Sequence, residues 1–381
     1  MTRTLTQLRP SLPSTWYYDP AHYQRELEAI WYRDWVCVGR TESLEKAGDF
    51  FTVRIGAQSI IVTRASGGEI RAWHNTCRHR GSILSTSASG HFHNGRIVCP
   101  YHTWTYALDG TLVATPGRLE THDFDPAKFG LYGVSVDTWQ GFIFVNLCEE
   151  PTTRLHAFLG TEKEYLANWP LEAMRSVHRE IITVSCNWKT FWENYSECYH
   201  CPRVHPELGR IMPVYRKAVF DDADLPGWQP GFEGDQGHGR VGPGFRTWTL
   251  NGQSSLPNLE GPTAAELEAG IAFTSITGSM YVHGHPDYAR SVRIAPRGPE
   301  QIEIVVDWLL PESYGNVGAD IIEQITGLAL LVIRQDAKAC ELNQQGLRSN
   351  RFEHGVLVPQ EYPLWHFHQW VRARLGEPAG A

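Results

Sequence analysis

Two short stretches, Cys77-Arg78-His79 and Cys99-Pro100-Tyr101-His102, constrain this chain more than any other feature. Each supplies one thiol and one imidazole a residue or two apart, so together they offer two sulfur and two nitrogen donors. The run between them, Arg80 to Val98, is rich in Gly, Ser, His and Asn, and reads as a solvent-facing excursion that brings two hairpin tips together. Two kinds of centre use this donor set. One is zinc; the other is a [2Fe-2S] cluster in which two imidazoles replace two thiolates on one iron. A zinc finger keeps its cysteines together and its histidines together on a helix. Here each loop carries one of each, which favours the cluster.

As they stand, Cys77-Arg-His-Arg-Gly81 and Cys99-Pro-Tyr-His-Thr-Trp104 resemble the cluster loops of Rieske oxygenase large (alpha) subunits. The resemblance implies that Cys77 and Cys99 bind one iron and that His79 and His102 bind the outer one. In such a site the protein tunes the potential by hydrogen bonds and burial.

With 381 residues the chain is long enough for two domains. A net charge of −8 and the lack of a long basic run remove the electrostatic footprint of a nucleic-acid binder. Met1 to Pro20 is polar and no apolar run approaches membrane-spanning length, so the expectation is a cytoplasmic protein with no membrane partner. Eight scattered cysteines form no small-domain disulfide framework and read as reduced thiols, a subset of them bound to metal.

Residues 20 to 36 space Tyr23, Leu27, Ile30, Trp31 and Trp35 as an amphipathic helix behind an Asp19-Pro20 start. From Val36 to about Leu147 the texture is short β-rich runs, with Asp109-Gly110 as a tight hairpin turn. A composition change at Glu149 to Thr153 marks a boundary. Beyond it the pattern predicts a helix over 158–169, a strand over 178–187 and a long irregular cover of the active site over 214–262. Strands near 272–282, 289–295 and 302–310 follow, then helices over 321–347 and 363–375. The expected fold is α+β: an N-terminal helical segment (1–38) packing on the catalytic domain, a small all-β Rieske domain (39–150), and a larger catalytic domain (151–381). The last has an antiparallel sheet flanked by helices.

The second informative stretch is Glu193-Asn-Tyr-Ser-Glu197-Cys-Tyr-His200-Cys-Pro-Arg-Val-His205. Glu197 and His200 would share a helix face, but His205 lies five residues beyond His200, about 140° round an ideal helix. Pro202 is expected to break the helix and let His205 swing back. Two imidazoles plus one carboxylate, with positions left open, is the facial arrangement of non-haem Fe(II) oxygen-activating sites. By resemblance the acid is Asp336, in Val332-Ile-Arg-Gln-Asp-Ala-Lys-Ala-Cys-Glu341; Glu341 is its nearest rival. Cys198-x-x-Cys201 could be redox-active or half a zinc site, but no second such motif exists, and both cysteines read as lining or packing residues. In the family an acid three residues before the first iron-binding His bridges a subunit boundary. The resemblance therefore implies that Glu197, a Glu where much of the family has Asp, hydrogen-bonds His102 of the partner subunit. It also implies that Asn194 lies near the iron.

Activation of O2 at one ferrous iron, with a substrate that gives up two electrons, needs two more from outside, and a one-electron cluster is a means of delivering them. The chain has neither a dinucleotide fingerprint nor a plant-type ferredoxin motif, so electrons from NAD(P)H must come through a separate flavin or iron–sulfur reductase. The resemblance implies a mono- or dioxygenase assembled as a homotrimer and acting on a small molecule. Within it, the motifs look most like the branch that oxidises N-methyl groups of quaternary amines such as glycine betaine, stachydrine, carnitine and choline. Trp192, Tyr195 and Trp248 are candidates for an aromatic cage around such a cation. Aromatic-ring hydroxylation is the alternative, and a bare Rieske electron carrier a remote one that the presence of His200, His205 and Asp336 argues against.

Overall fold

Short runs of β-branched and aromatic residues punctuated by Gly, Asn and Asp build one half of the structure, and a return to helical periodicity builds the other. The computed structural model describes residues 4–225 and 240–379. The chain divides into two compact units, residues 30–158 and residues 1–29 with 159–381. Of the expected cover over 214–262, residues 226–239 lie outside the described residues.

Unit 30–158 is an antiparallel β structure. Its seven-stranded sheet runs in the order Val36–Arg40, Phe142–Asn146, Gly133–Trp139, Ile70–His74, Gln58–Arg64, Asp49–Ile55, Ser89–His91. A second sheet holds Arg96–Val98, Thr105–Ala107 and Leu112–Ala114. The expected turn joins the last two of these strands: Asp109 Oδ1 accepts from the Thr111 N–H at 3.0 Å and its hydroxyl at 2.7 Å, and Gly110 takes φ +85°. The excursion after the first metal loop is pinned by buried Asn75, whose Oδ1 accepts from the Leu84 and Ser85 N–H groups and whose amide donates to Ser85 O and Ser59 Oγ.

The second unit is a five-stranded antiparallel sheet in the order Met174–Val184, Gln301–Pro311, Ala289–Gly298, Met280–Gly284, Ala272–Ile276. Its principal helices are Trp188–Tyr195, Ala319–Leu347 and Tyr362–Leu375. Three expectations need correction. The strand expected over 272–282 is a hairpin, turned at Gly278 with φ +77°. The helix expected over 158–169 is absent; a turn of helix at Leu155–Phe158 is separated by Gly160, at φ +54°, from a 3-10 turn at Glu162–Glu164. The N-terminal helix, capped by Asp19 on the Ala21 N–H, keeps regular α geometry only over Pro20–Glu26 and widens over Leu27–Trp31.

That short helix is tied to the catalytic unit by a fully buried ion pair. Lys189 Nζ lies 2.5 Å from Glu26 Oε1, with neither side chain exposed. Trp188 Nε1 donates to the other Glu26 oxygen at 2.8 Å, and Lys189 also donates to Asn187 Oδ1 and Trp16 O. Burial alone would push the Glu26 carboxyl up, but the Lys189 ammonium outweighs it and holds the group below its ordinary range. Because each ammonium proton has an acceptor and each carboxylate oxygen a donor, removing one partner strands a buried charge. Lys189→Met should therefore lower unfolding stability by about 3–5 kcal/mol. The double variant with Glu26→Gln should lose less than the sum of the two single losses in denaturant unfolding, and strict additivity would refute the pairing.

Candidate metal centres and active site

The two loops of the first centre share one backbone design. In each, the cysteine N–H donates to the carbonyl five residues on, Cys77 to Ser82 and Cys99 to Trp104, both at 2.8 Å. In each, the N–H four residues on returns to the cysteine carbonyl, Gly81 at 3.0 Å and Thr103 at 3.1 Å. That closure needs a left-handed residue, and Gly81 and Thr103 take φ +75° and +56°. The result points both thiols inward, 3% and 1% exposed, into a core with Ile97, Trp104, Tyr106 and Leu131. The imidazoles of His79 and His102 sit outward with ring centres 4.7 Å apart, and Trp104 stacks on His79.

Donors surround the sulfurs. The Tyr106 hydroxyl is 3.2 Å from Cys77 Sγ and accepts from the Arg78 N–H at 3.1 Å. Burial would push the Cys99 thiol up, but the N–H groups of Tyr101 and His102 and the Ser82 hydroxyl more than reverse this and favour the thiolate. The Cys77 thiol, by contrast, is pushed up by burial. It is the placement, inward sulfurs beside hydrogen-bond donors and outward imidazoles, that suits a cluster with one all-sulfur iron and one all-nitrogen iron.

The second centre forms where the helix Trp188–Tyr195 stops. The sequence reading placed the break at Pro202; the structure places it at Ser196, so Glu197 and His200 do not share a helix face. The cause is the Glu197 carboxylate, which accepts from the Tyr199 and His200 N–H groups and so takes the place of helical backbone partners. Pro202 instead occupies the first turn of a new short helix, Cys201–Val204, where a missing N–H costs nothing. His205 caps that helix with φ −124° and turns back.

The outcome is convergence. His205 Nε2 lies 2.8 Å from Asp336 Oδ1, His200 Nε2 lies 3.3 Å from the same oxygen, and the two Nε2 atoms are 3.2 Å apart. Three ligand atoms from His200, His205 and Asp336 thus group tightly enough to hold a metal ion. Both imidazoles are fixed from behind. His200 Nδ1 donates to Glu197 Oε1 at 2.5 Å, and His205 Nδ1 donates to Gln335 Oε1 at 2.8 Å, so both Nε2 atoms face the centre. Burial would depress His200, but hydrogen bonds to Asp336 and Glu197 dominate and raise it to about 9, the mark of a site that favours positive charge. Glu341, the rival acid, instead accepts from the Ser185 N–H. Asn194 stands beside the triad, its amide nitrogen 3.4 Å from His200 Nε2.

A cavity opens on these atoms, walled by Tyr195, Tyr215, Phe220, Trp248, Phe273 and Tyr281. Of the three aromatic candidates from sequence, Tyr195 and Trp248 line it, and Trp192 does not; Trp192 packs in the core against Phe367. Cys198 and Cys201 line it too, as expected, but they are paired as a disulfide rather than free, their Cα atoms 4.9 Å apart and within bridging reach. Gln335 and Tyr281 were missed, because a residue that acts through a neighbour or from a distant strand leaves no local motif. Gln335→Ala should weaken divalent-metal affinity by about 10–100-fold, measured by competition with a chelator, since His205 then loses its fixed ring orientation. Unchanged affinity would show that Gln335 does not position His205.

Comparison with known proteins follows the same division. Residues 34–125 match the Rieske [2Fe-2S] domain, and residues 171–377 match the ring hydroxylating alpha subunit catalytic domain. The glycine betaine monooxygenase oxygenase subunit of Chromohalobacter salexigens is 33% identical over 371 residues, covering 91% of this chain and 81% of that protein. The chloroplastic choline monooxygenase of Beta vulgaris is 30% identical over 375 residues, covering 95% and 76%. Among solved structures, the quaternary ammonium Rieske monooxygenase CntA with inhibitor MMV12 gives a TM-score of 0.74 at 20% identity, covering 95% of each chain. Naphthalene 1,2-dioxygenase from Rhodococcus sp. also gives 0.74, at 19% identity, covering 96% and 95%. At such identities the structural likenesses show the fold alone. With a cluster domain followed by the alpha-subunit catalytic domain, the chain belongs to the Rieske non-haem iron oxygenases, whose cofactors are a Rieske [2Fe-2S] cluster and a mononuclear iron.

Proposed function

We propose that this protein is a terminal oxygenase that hydroxylates an N-methyl group of a quaternary ammonium compound, with electrons from a separate NAD(P)H-dependent reductase. The observation that carries the reading is the aromatic wall facing the His200, His205 and Asp336 atoms. A quaternary ammonium has no N–H to donate, so π faces are the means by which a protein holds it. Relatives that resemble the chain over nine-tenths of its length are named for glycine betaine and choline, which supports the same class.

In this reading Cys77, Cys99, His79 and His102 hold the cluster, and His200, His205 and Asp336 hold the ferrous ion. The bound metals supply single-electron transfer and O2 activation. The chain's own residues do the rest. Glu197 keeps the Nδ1 proton of His200 in place, and in a homotrimer its carboxylate would meet the partner subunit's His102 to connect cluster and iron. Asn194 offers an amide at the edge of the triad. The aromatic walls exclude water and orient one methyl group. Substrate, O2, two electrons and two protons give the N-hydroxymethyl product and water. That product loses its hydroxyl proton and breaks its C–N bond, the electron pair going to nitrogen, and so yields formaldehyde and the demethylated amine. No helix among the described residues is long and apolar enough to cross a membrane; the need for NAD(P)H as the electron source is what places the work in the cytoplasm in this reading.

Formaldehyde release coupled to NAD(P)H use, with a reconstituted reductase and a panel of methylammonium compounds, tests the reading. Release from at least one of them is expected; a hydroxylated aromatic product with no formaldehyde from any would move the chain to ring hydroxylation. Tyr281→Leu should weaken binding about five- to thirtyfold, the loss of one cation–π contact of about 1–2 kcal/mol. Glu197→Gln should retain both metals and the assembly yet lose reductase-driven turnover. Normal turnover in that variant would remove Glu197 from the electron path.

A further inference from the structure

Arg290 lies on the inner wall of the same cavity, on the strand Ala289–Gly298, with only 3% of its surface exposed. A buried guanidinium normally faces a carboxylate, because an unpaired buried charge is strongly unfavourable. Arg290 forms no ion pair with a described residue. Its Nη2 donates to His283 Nδ1 at 2.6 Å, its plane approaches the Trp248 ring at 5.7 Å, and its Nε has no partner. His283 cannot neutralise it, since burial and the nearby guanidinium hold that imidazole well below its usual range and hence uncharged. A second donor on this cavity is also orphaned: the indole N–H of Trp248, itself 4% exposed. Asp287, three residues before Arg290, accepts from the Thr247 hydroxyl at 2.7 Å through Oδ1; its Oδ2 is buried without a partner and does not pair with Arg290.

Two buried, unsatisfied donors, one of them cationic, line a cavity that also presents the rings of Tyr195, Tyr215, Phe220, Phe273 and Tyr281 and the metal-ligand residues His200, His205 and Asp336. We infer that Arg290 and the Trp248 indole N–H receive a substrate carboxylate, so that the substrate is a zwitterion bearing both a quaternary ammonium and a carboxylate. The inference deepens the N-methyl reading and rests on it. The charge balance is specific. A zwitterion brings the missing anion and adds no net charge, whereas a quaternary ammonium alcohol brings a second cation into a low-dielectric space beside an unpaired guanidinium. The alcohol also leaves both donors unmet, and sites built to hydrogen-bond a group reject analogues that lack it.

The test uses the iron-loaded enzyme and compares binding, by calorimetry, and turnover, by formaldehyde release and NAD(P)H use. The probes are a trimethylammonium carboxylate, its carboxamide, choline and benzoate. Wild type should bind the carboxylate at least about thirtyfold more tightly than the carboxamide or choline. Arg290→Met should erase that preference through KM, and Arg290→Lys should restore part of it, with cluster absorbance and iron content reporting that each variant is folded. Equal wild-type affinity for carboxylate and carboxamide would overturn the anion site while leaving the N-methyl reading intact, because formaldehyde would still form. Tight binding of benzoate, dependent on Arg290, with no methylammonium bound or demethylated, would refute the zwitterion and the N-methyl reading together. Arg290→Met that is folded and retains the full preference would exclude Arg290 even if the preference itself stands.

Discussion

One carboxylate oxygen, Asp336 Oδ1, is where the catalytic unit converges. Two imidazole nitrogens approach it within 3.3 Å from a segment some 130 residues earlier in sequence, and each imidazole is fixed by an acceptor on its far side. Burial would push this carboxyl up; the two histidines outweigh burial and hold it below its ordinary range, so it is an anion awaiting a cation. Nothing local in sequence brings these groups together. The long helix Ala319–Leu347 does so by packing on Trp188–Tyr195, where Gln344 accepts from the Asn187 N–H at 2.9 Å and the Thr190 hydroxyl at 3.3 Å.

The same economy extends outward. Lys189, five residues before Asn194 on the short helix, is clamped by Glu26 from the N-terminal segment. Glu193 on that helix accepts from the Tyr17 hydroxyl at 2.6 Å and from His368 Nε2 at 2.9 Å. Rigid placement of the helix end matters because Glu197 must both stop the helix and orient His200, two tasks that one carboxylate meets by dividing its oxygens between backbone and imidazole.

Motifs that carry chemistry within a few residues were legible in the sequence. The cluster loops, the His200 and His205 pair and the alternating β runs all depend on local spacing, and the family resemblance pointed to Asp336, which the fold brings beside the two histidines. What was not legible depends on three-dimensional competition. Pro202 has the same identity whether it breaks a helix or starts one, and only the Glu197 carboxylate on the Tyr199 N–H decides which. Trp192 and Trp248 are alike in composition, yet one is core and the other cavity wall. Arg290 hid in a strand whose pattern alone could not say that its inward charge lacks a partner. Cys198-x-x-Cys201 carried a spacing that allows pairing, but the spacing alone could not separate a bridge from two packing thiols, and the structure joins them with Cα atoms 4.9 Å apart.

The most direct measurement is iron per chain, with the reduced-state EPR spectrum, for the wild-type protein and for Asp336→Ala. If His200, His205 and Asp336 hold an iron separate from the cluster, the count falls from three to two and the Rieske signal is unchanged. Three irons retained in the variant, or a cluster signal lost along with the third iron, would contradict the account of two independent centres built from these residues.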